Sequence, residues 1–153
     1  MRRGKRLVSV STLTATLIMV LGLSFGSVVF AQEARWEALN KNALLLFQQG
    51  KFSEGVKVAK EALSVAEETL GPDNPEVAVS LSNLAVLYEK QGLYHEAEYL
   101  QRRALAILEK ALRPDHPDVA QSLYSLGALY DVMGKEDEAG RFLKRAARIR
   151  AKQ

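Results

Sequence analysis

The chain of 153 residues contains no cysteine. Disulfide bridges, thiolate metal sites, cysteine nucleophiles and a lipid-modified cysteine are therefore excluded. Proline and glycine are also sparse, at four and ten residues, which argues against a disordered or collagen-like chain. The length suits one domain, and with 48% hydrophobic and 25% charged residues the composition is ordinary for a soluble helical protein.

Acidic residues are missing from positions 1–31, whereas Arg2, Arg3, Lys5 and Arg6 all lie there. The formal net charge of +3, from 21 basic and 18 acidic residues, therefore comes from this segment. The remainder of the chain is close to neutral and offers no excess of basic residues for nucleic acid. We therefore expect no nucleic acid among the partners.

An apolar stretch follows the cationic start, is densest over 17–31 and ends with Val29 and Ala31. Small residues at these two positions suit cleavage after Ala31, and the whole order is that of a secretory signal peptide. The alternative is an uncleaved inner-membrane anchor, because the stretch counted from Leu7 is long enough to span a bilayer. In either case we expect the rest of the chain outside the cytoplasm, secreted or in a bacterial periplasm.

A ten-residue motif occurs twice in the chain, at a step of 42 residues. It has the form Pro-Asp-x-Pro-x-Val-Ala-x-Ser-Leu and runs over 72–81 and 114–123. A weaker third copy lies one step earlier, where Gly50 aligns with Gly92 and Gly134. Self-similarity at a fixed step indicates a solenoid, whose stacked repeats share one core and present an extended binding surface.

Each copy contains two stretches of apolar residues at three- and four-residue spacing, which predicts two helices per repeat. A glycine ends the first stretch, because glycine readily takes the positive φ that a helix end needs. Asn74 and His116 precede Pro75 and Pro117. They are therefore predicted to cap helices that begin with proline at the first turn.

The expected fold is an all-α solenoid of three helix–turn–helix repeats over residues 32–153. The repeats are predicted at about 33–70, 71–112 and 113–153. Their six helices are predicted at 33–49, 53–69, 75–90, 94–111, 117–133 and 136–151. Small residues are expected where paired helices approach closely, because larger ones would push them apart. These residues are Ala85, Ala97, Ala104, Gly127, Ala139 and Ala146.

The middle repeat has apolar, small and aromatic residues in a fixed order, namely Leu81, Leu84, Ala85, Tyr88, Gly92, Tyr94, Ala97 and Ala104. This order resembles the tetratricopeptide repeat. The 42-residue step and the run from Ser80 to Tyr88 are similar to the kinesin light chain subtype, which has a longer second helix. The resemblance covers 33–153, implies a right-handed α-solenoid, and is weaker in the end repeats, at Asn42, Gly55 and Glu136.

Proteins of this family bind peptide or protein segments in a groove lined by the first helix of each repeat. By position, the resemblance implies that the groove is lined by Asn40, Lys41, Leu44, Phe47, Val79, Ser82, Asn83, Val86, Glu89, Tyr124, Ser125, Ala128 and Asp131. Asn83 matches a family asparagine that holds the ligand backbone. Leu44 stands at an asparagine position of the set that clamps a terminal carboxylate, so recognition of a free chain end is not implied. The alternative at each position is a side chain that only completes the packing or meets solvent.

The sequence shows no arrangement typical of catalysis. The two histidines, His95 and His116, lie in no evident Ser–His–Asp arrangement, and no glycine-rich phosphate loop is present. His95 and Glu98 provide only two metal ligands, so a surface pair is the preferred interpretation. We therefore predict that the protein is not an enzyme and uses no cofactor or metal.

The last predicted helix carries a basic stripe at helical spacing, formed by Arg141, Lys144, Arg145, Arg148 and Lys152. The preferred interpretation is a solvated convex face, and the alternative is a surface for acidic lipid headgroups or an acidic partner. The predicted function is that of an exported, non-catalytic scaffold or adaptor that binds a protein or peptide. The alternatives are a self-associating homo-oligomer, or a membrane-anchored envelope scaffold if the first segment is not cleaved.

Overall fold

The computed structural model describes residues 10–153, with side chains from 26 onward, and that range contains six α-helices and no strand. In chain order they are α1 (Val10–Gln48), α2 (Phe52–Leu70), α3 (Pro75–Lys90), α4 (Tyr94–Ala111), α5 (Pro117–Val132) and α6 (Glu136–Arg150). The predicted all-α, right-handed solenoid is confirmed. Helices α2 to α6 begin and end within one residue of their predicted bounds.

The start of α1 was predicted wrongly, at 33 instead of Val10. Residues 10–48 contain no proline, and the residues that follow Ala31 favour helix, so nothing ends the helix between the apolar stretch and the first repeat. No helix in the described part of the chain has both the length and the apolar character required to cross a bilayer. Positions 1–9, which hold the cationic start of the predicted signal or anchor segment, lie outside the described residues.

The same short turn joins the two helices of each repeat. Gly50, Gly92 and Gly134 take φ angles of 72°, 76° and 72°. This left-handed conformation carries little steric cost for glycine but is strained for residues with a Cβ atom. The aligned glycines therefore form the same tight turn in each of the three repeats.

The connectors between repeats cap the next helix as predicted. Asn74 Oδ1 accepts a 2.9 Å hydrogen bond from the backbone N–H of Glu76. One repeat later, His116 Nδ1 accepts a 3.2 Å hydrogen bond from the backbone N–H of Asp118. In both helices the first residue is proline, which has no N–H to satisfy.

One core runs through all three repeats, and small side chains set how closely the helices approach. The predicted small positions are all buried, and Ala104 is fully enclosed. At Gly127 on α5, an added Cβ atom would lie only 2.7 Å from Leu143 Cδ2 on α6. Gly55 departs from the family pattern because Leu87 from the next repeat fills its space, 2.8 Å from where a Cβ would lie.

The two junctions between repeats are packed differently. The first seam joins α1 and α2 to α3, and the second seam joins α3 and α4 to α5. Contacts between α1 and α3 are more extensive than those between α3 and α5. Trp36 occupies the first seam, where its Nε1–H donates a 2.7 Å hydrogen bond to Ser80 Oγ. The residue one repeat later is Ala78, so the second seam lacks an equivalent ring and is more open.

Candidate peptide-binding groove

A cleft of about 430 Å³ opens at the second seam, between α3 and α5, and α4 forms its floor. We call it the seam cleft. Its lining residues are Pro75, Glu76, Ala78, Val79, Ser82, Asn83, Val86, Gln101, Leu108, Asp118, Gln121, Ser122 and Ser125. The walls are mostly apolar, with a few polar groups inside and carboxylates at the rim, as is common in ligand-binding clefts.

A smaller cleft of about 110 Å³ lies between α1 and α3. Its lining residues are Ala43, Leu44, Phe47, Asn83, Val86 and Leu87. Asn83 and Val86 line both this cleft and the seam cleft. The two clefts are therefore neighbours along the first helices of the repeats, and together we call them the groove.

The amide of Asn83 is held in place by a neighbouring repeat. Asn83 Nδ2 donates a 3.0 Å hydrogen bond to Asn40 Oδ1. Asn40 Nδ2 in turn donates a 3.0 Å hydrogen bond to the carbonyl oxygen of Trp36. Because Asn83 is exposed and uses only one amide hydrogen in this chain of bonds, its Oδ1 can accept a hydrogen bond from a bound backbone.

The structure brings most of the predicted groove residues together. Leu44, Phe47, Asn83 and Val86 meet in the smaller cleft. Ser82 and Ser125 join Asn83 and Val86 in the seam cleft. Asn40 lies beside them through its hydrogen bond to Asn83.

Besides Asn40, five predicted residues line neither of these two clefts, namely Lys41, Glu89, Tyr124, Ala128 and Asp131. The ring of Tyr124 lies under the guanidinium of Arg150, with 4.9 Å between the guanidinium carbon and the ring centroid. This distance is within the range of a cation–π contact. Tyr124 is therefore engaged with α6, although it remains 46% exposed.

Sequence reasoning missed two buried polar residues of the seam cleft, Gln101 and Ser122. Gln101 is 3% exposed, and its Oε1 accepts a 3.3 Å hydrogen bond from Ser82 Oγ. Ser122 is 4% exposed, and its Oγ has no hydrogen-bond partner in the described part of the chain. Gln101 could have been found, because it interrupts the apolar face of α4 where the other repeats have Ala59 and Leu143.

The rim of the seam cleft is acidic. Glu76 and Asp118 are both exposed and lie in the first turns of α3 and α5. No lysine or arginine is among the described side chains that line the cleft. Arg150 reaches its edge, where Nη2 donates a 3.0 Å hydrogen bond to Gln121 Oε1.

Glu98, predicted to form a surface pair with His95, instead belongs to a network between α4 and α5. Its carboxylate accepts hydrogen bonds from the Tyr130 hydroxyl and from Arg102 Nε, the latter at 3.0 Å, and Lys135 Nζ lies 3.7 Å away. The Tyr130 hydroxyl and the two cations lower the pKa of Glu98 despite partial burial. Within the residues that the structure describes, no three His, Cys, Asp or Glu side chains cluster as metal ligands.

The sequence profile of the tetratricopeptide repeat matches residues 37–110 and 80–152. The chain belongs to the tetratricopeptide repeat family. Solved structures show that its repeats are of the kinesin light chain type. A crystal structure of BtubC (BKLC) from P. vanneervenii is 31% identical over 76% of this chain, with a TM-score of 0.71. A putative kinesin light chain from Podospora anserina is 29% identical over 77% of this chain, also with a TM-score of 0.71.

The chain spans 46% of the P. vanneervenii chain and 56% of the Podospora chain. Two more distant tetratricopeptide structures confirm the fold alone. The Arabidopsis FLU domain is 19% identical, with coverage of 78% and 98% of the two chains and a TM-score of 0.67. The second domain of Spaghetti (RPAP3), bound to the HSP90 peptide SRMEEVD, is 17% identical, with coverage of 78% and 97% and a TM-score of 0.59.

No curated protein sequence matches the chain. Membership of the tetratricopeptide family identifies the domain as a protein-binding scaffold, a class that is generally non-catalytic. Solenoids of this kind bind partners on an extended concave surface. In this chain the two clefts of the groove lie along α1, α3 and α5, the first helices of the repeats.

Proposed function

We propose that this chain is a non-catalytic, exported module that binds an extended protein or peptide segment along the groove of α1, α3 and α5. The observation that carries the proposal is that Asn83 and Val86 line both clefts, so that the two clefts lie next to each other on the first helices of the repeats. Leu44 and Val79 expose apolar surface along it, at 56% and 48%. Apolar subsites beside a free amide oxygen suit a segment with alternating side chains and an unpaired backbone.

The segment is an internal stretch of the partner rather than its free C-terminus. The RPAP3 domain is bound to a peptide that ends in Glu-Glu-Val-Asp. In this chain Leu44 stands at one asparagine position of the family's carboxylate clamp and is half exposed in the smaller cleft. An apolar side chain cannot donate hydrogen bonds to a terminal carboxylate, which supports recognition along the segment instead.

Export is supported by the N-terminal sequence, with its cationic start, its apolar stretch and the small residues at Val29 and Ala31. The second candidate is an anchored scaffold that keeps this segment and recruits envelope proteins. It is favoured by Val28 and Phe30, which are 58% and 73% exposed on α1, the helix that continues into the first repeat. Only this second candidate, the anchored scaffold, involves contact with a membrane.

The test is selection of random linear peptides, displayed on phage, against the immobilised full-length chain. Selected peptides are then made synthetically, and their affinities are measured by fluorescence anisotropy. We expect Val86→Glu and Asn83→Ala to weaken binding about tenfold, since both residues line both clefts of the groove. Tyr99→Ala is the matched control, because Tyr99 is 68% exposed and lines neither cleft of the groove.

Two outcomes would contradict the proposal. The first is a selection that enriches no peptide over a bare support. The second is equal loss of binding in the groove variants and in Tyr99→Ala, because this would place the bound peptide elsewhere on the molecule.

A further inference from the structure

Ser122 lines the seam cleft, and its buried hydroxyl forms no hydrogen bond with any described group. Buried polar groups are nearly always paired with protein, water or a ligand, because an unpaired one loses its hydration without compensation. Its copy in the preceding repeat, Ser80, is fully buried but paired with Trp36. The partner of Ser122 is therefore water or a group that does not belong to the described residues.

The first seam shows what kind of group fits such a serine. There, a flat ring with an N–H donor lies between the repeats and donates to Ser80 Oγ. In the second seam the corresponding side chain is the methyl group of Ala78, which fills little space and donates nothing. The seam cleft therefore has room for a planar, N–H-donating group at the place that Trp36 occupies one repeat earlier.

Charge distinguishes between the planar donors that could occupy this space. Glu76 and Asp118 carry their carboxylates at the rim, and no described lysine or arginine is among the lining residues. Arg150 reaches the edge of the cleft, where Gln121 and the ring of Tyr124 hold its guanidinium.

The backbone N–H groups of the two acidic rim residues are already bonded to the caps Asn74 and His116, so they are not available to an anion. Carboxylates at the rim favour a cation over a neutral indole and repel an acidic segment.

The interior of the cleft fits the stem of a long side chain. Val79, Val86 and Leu108 provide apolar surface for it. Gln101, a buried polar residue, lies on the floor. Arginine combines an apolar stem, a planar guanidinium with N–H donors and a permanent positive charge. Lysine has the stem and the charge but presents a compact ammonium that lacks the planar shape.

We propose that the seam cleft binds the arginine side chain of an internal segment of the partner protein, with the guanidinium donating to Ser122 Oγ and attracted by Glu76 and Asp118. This inference rests on the proposed function, because it specifies which residue of the bound segment enters this part of the groove. It also sets the charge of the partner segment, which is basic at this position.

The peptides selected on the full-length chain test the inference directly. We expect an arginine at one fixed position of the selected sequences. Replacing it with citrulline, which keeps the planar N–H donors and removes the charge, is expected to weaken binding about tenfold. Replacing it with lysine is expected to weaken binding by a similar factor, because the planar donor group is lost.

Variants of the chain separate the two contacts. Glu76→Gln combined with Asp118→Asn is expected to lower the affinity for the arginine peptide about tenfold and to leave the affinity for the citrulline peptide unchanged. Ser122→Ala is expected to lower the affinity for both peptides about fivefold. It is not expected to lower the thermal midpoint of the free chain, because the hydroxyl has no described hydrogen-bond partner to lose. Asp137→Asn, an exposed carboxylate in the first turn of α6, is the charge control.

The outcomes distinguish this inference from the proposed function. Selected peptides that depend on Asn83 and Val86 but carry tryptophan or acidic residues instead of arginine would overturn the inference and leave the function standing. Unchanged affinity for the arginine peptide in Ser122→Ala would also overturn it. A selection that enriches no peptide would overturn both.

Discussion

The indole N–H of Trp36 on α1 donates a 2.7 Å hydrogen bond to the hydroxyl of Ser80 on α3, and this bond closes the first seam. Ser80 is fully buried, so loss of its donor leaves an unpaired hydroxyl in the core. We expect Trp36→Phe, which keeps an aromatic ring, to lower the free energy of unfolding by about 1–3 kcal/mol. Urea denaturation followed by circular dichroism measures the change.

The matching control for this bond is the double variant Trp36→Phe with Ser80→Ala. Because it removes the donor and the acceptor together, it is expected to regain part of the lost stability, on the order of 1 kcal/mol. A double variant that is no more stable than Trp36→Phe alone would show that ring packing, and not the hydrogen bond, accounts for the loss.

Close approach of α5 and α6 at Gly127 leads to a second prediction. An alanine Cβ there would lie 2.7 Å from Leu143 Cδ2 and 3.3 Å from the carbonyl oxygen of Ala139. We expect Gly127→Ala to destabilise the chain by about 1–3 kcal/mol through overpacking. Gly140→Ala is the control, since nothing lies within 4 Å of its added Cβ. That control is expected to stabilise the helix by up to about 1 kcal/mol, and equal effects at the two glycines would contradict the packing described.

The network around Glu98 predicts a dependence of stability on pH. Hydrogen bonding to Tyr130 and the cations Arg102 and Lys135 lower the pKa of Glu98 below its ordinary value of 4.5. A lowered folded-state pKa stabilises the fold above the unfolded value, and this contribution is lost as the pH falls through the folded-state value. Tyr130→Phe is therefore expected to destabilise the chain by about 1–2 kcal/mol at pH 7.

The same argument predicts that the stability difference between the wild type and Tyr130→Phe narrows as the pH falls below 4.5. Glu98 is protonated there first in the unfolded chain and then, because its pKa is lowered, at a lower pH in the folded chain. Urea denaturation over a range of pH measures this difference. Tyr99→Phe is the control, because its ring is 68% exposed and it is expected to show no such dependence. A difference for Tyr130→Phe that stays constant with pH would exclude the charge on Glu98 as its cause.

Processing at the N-terminus is the fourth prediction. If residues 1–31 act as a secretory signal, the protein purified from the envelope of a bacterial host begins at Gln32. Mass spectrometry of the intact protein measures this directly. Recovery of a chain that begins at Met1 would favour the anchored scaffold instead.

Much of the fold was predictable because the repeats mark their own boundaries. Glycine at the same place in each turn and proline after each connector cap placed the ends of α2 to α6 within one residue. The start of α1 was not predictable in this way, because no proline or cap separates the apolar stretch from the first repeat. The helix continues there because the sequence provides no residue that would end it.

The candidate site was only partly predictable. Leu44, Phe47, Asn83 and Val86 follow from their place in the repeat, and the structure groups them. The seam cleft lies where Ala78 stands at the position that Trp36 holds one repeat earlier. The sequence contains that difference, but its effect on packing appears only in three dimensions.

The unequal filling of the two seams has a mechanical consequence. The first seam is filled by an indole that forms a hydrogen bond, so this junction between repeats resists bending. The second seam contains the seam cleft, so its helices can move apart or together with little loss of packing. We therefore expect relative motion of the repeats to be larger between the second and the third than between the first and the second. A segment bound in the seam cleft would then also set the angle between these two repeats, so we expect binding to change the curvature of the solenoid.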